Sequence, residues 1–226
     1  MCTRCVAAVV VVALLLGLVG VRPAGGVVGG LLDGEQHAYV GVLLGPLGMP
    51  ICSGVLVASS RGAVLLTTAH CLGPAGEGRP VTVRFGPTAM GGPGATGTFH
   101  VMAGYDPTTG LNDVAIVAFA SPLQIRPAQL GGAVPPAGTA VTTVGYGAPT
   151  VGVRTYATEI VVRSDPTWLY LKPGSGNSCD VDSGGPDLLG PGPGLTVVAL
   201  TDQGTCAADQ DYLVTGQAVH DFVNGA

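Results

Sequence analysis

The feature that most constrains this chain is the shortness of its apolar runs. From Ala38 onward, stretches such as Tyr39-Val40-Gly41-Val42-Leu43-Leu44 and Val55-Leu56-Val57 end after a few residues at Gly, Pro or Ser. β-branched residues favour extended backbone, and turn residues at such short intervals leave no room for a helical period to develop. Strands are therefore expected near residues 39–44, 55–57, 64–68, 81–85, 99–102, 114–119, 140–147, 159–162, 168–171, 195–200 and 212–214, with the Gly-rich stretch Gly91 to Gly97 as a connection. Only Gly216 to Val223 carries apolar residues at helical spacing, namely Ala218, Val219, Phe222 and Val223. The stretch Ser121 to Gly138, rich in Pro and Gly without alternation, reads as a link between two halves. Many short strands and one terminal helix predict an all-β barrel or sandwich.

Charge narrows the function classes. The chain has nine Lys and Arg against 14 Asp and Glu, a net charge of −5, and one lysine, Lys172. That excludes a nucleic-acid surface and gives no basic patch for anionic lipid. At the N-terminus, Arg4 precedes the apolar run Val6 to Val21 and the small-residue tail Arg22 to Gly26. The run is short for a bilayer span, and Ala24 and Gly26 occupy the −3 and −1 positions of a cleavage site before Val27, so residues 1–26 read as a secretory signal. Its removal takes Cys2 and Cys5 and leaves Cys52, Cys71, Cys179 and Cys206. An even count in an exported protein implies disulfides, with three pairings open.

The chemistry concentrates in Cys179-Asp180-Val181-Asp182-Ser183-Gly184-Gly185-Pro186. A serine hydroxyl becomes a nucleophile only beside a base, and glycines next to it free the backbone to turn N–H groups toward a developing oxyanion. Alone this is a turn sequence. Upstream, however, His70 stands just past an expected strand in Thr67-Thr68-Ala69-His70-Cys71, and Asp113 enters the apolar run Val114 to Val117. A buried carboxylate needs a partner, and an imidazole N–H is one. Asp180-Val181-Asp182 could instead hold a divalent cation, though it lacks the further carboxylates such a site requires. His37 and His100 read as surface residues.

In the order His70, Asp113, Ser183, these three blocks resemble the trypsin/chymotrypsin-type serine proteases, whose motifs are Thr-Ala-Ala-His-Cys, Asn-Asp-Ile-Ala-Leu and Gly-Asp-Ser-Gly-Gly-Pro. The resemblance implies two six-stranded antiparallel β-barrels with the active site between them: residues 27–125 carrying His70 and Asp113, residues 126–226 carrying Ser183. It pairs Cys52 with Cys71 and Cys179 with Cys206. It assigns the oxyanion hole to the N–H groups of Val181 and Ser183. Val27-Val28-Gly29-Gly30 resembles the family's mature start, so the Val27 ammonium is expected to pair with Asp182. Asn177, six residues before Ser183, falls where trypsin-like members place a pocket aspartate, which implies a neutral substrate residue there. No metal and no cofactor are implied. The expected protein is a secreted, extracellular monomer that cleaves protein or peptide substrates, with no nucleic-acid partner and no membrane association after signal removal. The sequence departs from the family twice: Val181 replaces a glycine, and Ser-Trp-Gly is missing from Val198 to Gly204. The first departure leaves a catalytically impaired, protease-fold binding protein as the alternative.

Overall fold

The structure is a computed structural model describing residues 27–226. The expected signal peptide lies outside the described residues. After a two-residue strand β1 (Leu31–Leu32), the first half forms β2 (Val40–Leu44), β3 (Pro50–Ser59), β4 (Gly62–Thr67), β5 (Pro80–Arg84), β6 (Gly94–Val101) and β7 (Ala115–Ala118). These close into an antiparallel barrel in the order β2-β3-β4-β7-β6-β5, with β5 returning to β2. The parallel segment β8 (Gln129–Leu130) leads to β9 (Ala140–Gly145), β10 (Thr155–Ser164), β11 (Trp168–Pro173), β12 (Pro186–Leu189), β13 (Thr196–Gly204) and β14 (Asp209–Leu213). Those six close as β9-β10-β11-β14-β13-β12, with β12 pairing back onto β9. Among the described residues one α-helix, α1 (Gln217–Gly225), follows the strands. The expected pair of six-stranded barrels is thus the observed architecture.

Strand alternation fills each barrel. In the first, Leu43, Leu56, Leu65, Val83, Phe99 and Val117 are fully buried and pack together. The start of β6 and the whole of β12 escaped the sequence reading for physical reasons. β6 starts inside the Gly-rich stretch because Gly97 must lack a side chain: a Cβ there would meet the Ala118 carbonyl and Val117 on β7. β12 begins at Pro186 and carries a buried aspartate, so it shows no apolar alternation.

The chain ends cross between the barrels. β1 pairs with β10 of the second barrel, whereas Val219 and Val223 of α1 pack with Val57 of the first. A polar weld reinforces the seam. Arg154 is fully buried, donating from Nε to Asp33 (2.7 Å), from Nη1 to the Val40 carbonyl (3.0 Å) and from Nη2 to the Gly34 carbonyl (2.7 Å). His37 joins it, its Nδ1 bonded to Asp33. The expectation of a surface His37 is corrected here: partners at Asp33 make burial of the ring tolerable. His100 remains at the surface, paired with Glu77.

Candidate active site

Each barrel contributes one side of the site. His70 lies in a short 3-10 turn (Ala69–Cys71) immediately after β4, and the Cys71–Cys52 disulfide ties that turn to β3. Asp113 precedes β7 and is buried. Its two oxygens accept from His70 itself, Oδ1 from the backbone N–H (2.8 Å) and Oδ2 from Nδ1 (2.9 Å). This double grip fixes the imidazole's tautomer and orientation. Asn112 is held at φ 55°, with Nδ2 donating to the Ala103 and Gly104 carbonyls and Oδ1 accepting from Tyr212 Oη (3.2 Å). Burial pulls the His70 pKa down, but the hydrogen bond to Asp113 and then that residue's charge outweigh it and leave the pKa above the usual imidazole value.

Ser183 comes from the second barrel, in the loop before β12. Its carbonyl accepts from the Ser53 N–H (2.9 Å), so the serine loop is attached one residue from Cys52 and, through that disulfide, to the histidine turn. Ser53, which the sequence reading missed, also donates from Oγ to the Val181 carbonyl (3.0 Å) and accepts from the Tyr146 N–H (3.0 Å). Its only sequence signal was adjacency to Cys52. Gly184, at φ 80°, is required, because a Cβ would strike Thr67 Oγ1 and the Ser53 carbonyl. Ser183 shares its cavity with Asp202, whose Oδ1 lies 3.7 Å from His70 Nδ1.

Val181 keeps the backbone shape of the glycine it replaces. Its φ is 74°, inside a turn closed by the Asp182 N–H donating to the Cys179 carbonyl (2.9 Å), where the third residue takes positive φ. A β-branched residue in that region is strained by about 1–3 kcal/mol. Among the described residues, neither the Val181 nor the Ser183 N–H has an acceptor. Two unpaired donors thus flank the serine.

Asp182 is fully buried, accepting from the Gly147 N–H (2.7 Å) and the Cys179 N–H (2.9 Å). Burial nevertheless pushes its pKa up to about 7. The cation reading of Asp180-Val181-Asp182 loses its support, because Asp182 spends both oxygens on backbone while Asp180 is exposed. Val27 is also fully buried, its N–H donating to Thr155 Oγ1 (2.5 Å). Thr155 pairs with Gly145, whose Cα lies against the Asp182 carboxylate. The Cys179–Cys206 disulfide, like Cys52–Cys71, is formed as the resemblance implied.

Beside Ser183 opens a small cavity of about 100 Å³, lined by Ser178, Asp180, Thr201, Asp202, Gly204 and Asp209 among others. Asn177 does not line it. Instead its Nδ2 donates to Asp209 Oδ2 (2.7 Å), which also accepts from Ser178 Oγ (2.6 Å). Asn177 thus stands behind the lining, and the acid it holds, Asp209 on β14, is the group that reaches the cavity. A larger groove of about 800 Å³, near Tyr39, Arg126 and Tyr156, contains none of these groups.

Comparison with known proteins agrees with this geometry. A family model for the trypsin-like peptidase domain matches residues 52–188. A trypsin from Sarcophaga bullata is 29% identical over 120 residues, a stretch that spans 50% of this chain and 46% of the relative. Human heparin binding protein superposes with a TM-score of 0.71 at 19% identity, over 88% of this chain and 96% of that one. A mutant of the same human protein gives 0.67 at 19% identity, over 84% and 92%. At such identity the two structures speak for the fold alone. With the matched model spanning all three motif blocks and over half of the sequence, this chain belongs to the trypsin-like peptidase family.

Proposed function

We propose that the protein is a secreted serine endopeptidase acting through an acyl-enzyme. The observation that carries this reading is the Asp113–His70 pair set across from a serine flanked by two unpaired N–H donors. His70 takes the Ser183 Oγ proton as that oxygen attacks the substrate carbonyl, and returns it to the leaving amine. Water then repeats the cycle to release the acyl group. Asp113 stabilises the imidazolium, and the Val181 and Ser183 N–H groups receive the oxyanion. Signal removal before Val27 would free an ammonium close to Asp182, supplying the counter-charge that this buried acid lacks.

The acidic cavity favours a cationic substrate residue before the scissile bond. Burial holds the Asp209 carboxyl's pKa above its usual value. An entering guanidinium or ammonium would favour its charged form. A binding role of the kind named for the heparin binding protein fits poorly, since a net charge of −5 repels a polyanion. The test is cleavage of an unbiased peptide library by mature protein starting at Val27, with Ser183→Ala as control. Cuts after Arg or Lys that vanish in the control support the reading. A control that cuts as well as wild type overturns it.

A further inference from the structure

β13 passes behind His70 and presents a second carboxyl to it. The Asp202 side chain is 1% exposed, and its Oδ1 lies 3.7 Å from His70 Nδ1. Oδ2 has no hydrogen-bond partner. Atoms of His70, Asp113 and Asp202 fall within 4.8 Å of one another. Two buried carboxylates this close do not both ionise readily at neutral pH. Asp113 takes both N–H donors that His70 offers. The surroundings of Asp202 give it no such help. Its own N–H donates to Asp211 (3.1 Å), Asp180 and Asp209 share its cavity, and the Tyr105 and Tyr212 hydroxyls lie in the same field. Only His70 favours its ionisation.

We infer that Asp202 is a positioning acid for His70: neutral, it leaves Asp113 as the sole negative charge on the imidazole, and ionised, it adds a second. The proton leaves to water through the cavity Asp202 lines, and the imidazole becomes a stronger base. Burial first, then the Asp113 charge, pushes the Asp202 pKa up to about 8, so the change falls on the alkaline side of neutrality. The inference rests on the proposed roles of His70 and Asp113, but its readout does not need turnover.

The experiment follows the His70 ring nitrogens by NMR from pH 5 to pH 10, alongside kcat/KM. Wild type is expected to show two inflections, the imidazole's own and a second near that of Asp202. Asp202→Asn should lose the second inflection, Asp202→Ser should lose it as well, and Asp202→Glu should retain it. Above the second inflection kcat/KM of Asp202→Asn should fall roughly three- to tenfold below wild type, with little difference in acid. Superimposable NMR titrations of wild type and Asp202→Asn overturn the inference. Wild-type protein that shows both inflections but no turnover overturns the proposed hydrolysis instead. Should Asp202→Asn fail to fold, Asp202→Ser decides by the same criterion.

Discussion

The two barrels have the same strand count and closure but opposite interiors. The first is filled by Leu43, Leu56, Leu65, Phe99 and their neighbours, a wholly apolar cluster. In the second, Val141, Val161, Leu169, Leu171 and Leu213 share the interior with four buried acids, Glu159, Asp187, Asp209 and Asp211. Glu159 lies two residues from Val161, and Asp211 two from Leu213, so strand alternation turns them inward. Burial and mutual repulsion push Glu159 up to about 10 and Asp187 up to about 7. Carboxyl meets carboxyl there, Glu159 with Asp209 and Asp187 with Asp211, and a shared proton is what makes each pair tolerable in the interior. The difference teaches that barrels of equal strand count can be filled by different chemistry: the one that carries His70 and Asp113 packs apolar side chains, whereas the one that carries Ser183 buries a carboxyl cluster, of which Asp209 reaches the cavity beside Ser183.

The largest expected effect tests whether the barrels act as one site. His70→Ala in the first and Ser183→Ala in the second should each lower turnover by about 10⁴-fold or more, and the double variant should lose scarcely more. Asp113→Asn should cost about 10⁴-fold by trapping the wrong tautomer. Additive losses would mean that the barrels contribute separately. Next in size is the pocket: Asp209→Asn should lower kcat/KM for Arg and Lys substrates by about 10²-fold, the scale of one charge-assisted contact, and leave neutral substrates nearly unchanged. Equal losses on both would place Asp209 outside recognition.

The carboxyl cluster also makes a prediction about pH. Unfolded carboxyls release their protons near pH 4, whereas these hold theirs until about 7 for Asp187 and about 10 for Glu159. Over that window the folded state binds more protons, so their contribution to stability is full in acid and is lost as pH rises. Melting temperature should fall between pH 5 and pH 8, and Asp187→Asn should flatten the slope. Hydrogen exchange should quicken first in β10, β12 and β14, not in the first barrel. A melting temperature that rises over this range would contradict the assignment. The smallest effect concerns Val181→Gly, which should relieve the positive-φ strain and stabilise the fold by about 1 kcal/mol, with turnover within twofold of wild type. A tenfold rise in kcat would instead mean that valine displaces the oxyanion donor.

Much of the site was legible because its chemistry needs particular residues in short local strings: His70 beside Cys71, Asp113 after Asn112, Ser183 before two glycines. The barrels were legible from strand-length runs and turn residues. What escaped was polar and buried. Asp209 and Asp211 sit in Ala207-Ala208-Asp209-Gln210-Asp211, which reads as an exposed turn, although their period of two leading into Tyr212-Leu213-Val214 was the available signal. Glu159 and Asp202 hide inside apolar strands in the same way, since alternation marks a face but cannot tell a protonated carboxyl in a core from a charged one in water. Asn177 shows a related limit: the acid it touches comes from a strand 32 residues away and no local string points to it.

The central claim is that Ser183 is a nucleophile activated across the seam between the barrels. Its most direct test is labelling of mature protein with a fluorophosphonate, followed by mass spectrometry of the modified peptide. A single adduct is expected on Ser183, absent in Ser183→Ala and strongly slowed in His70→Ala. Absence of an adduct from folded wild-type protein, or a label that persists in Ser183→Ala, would contradict it.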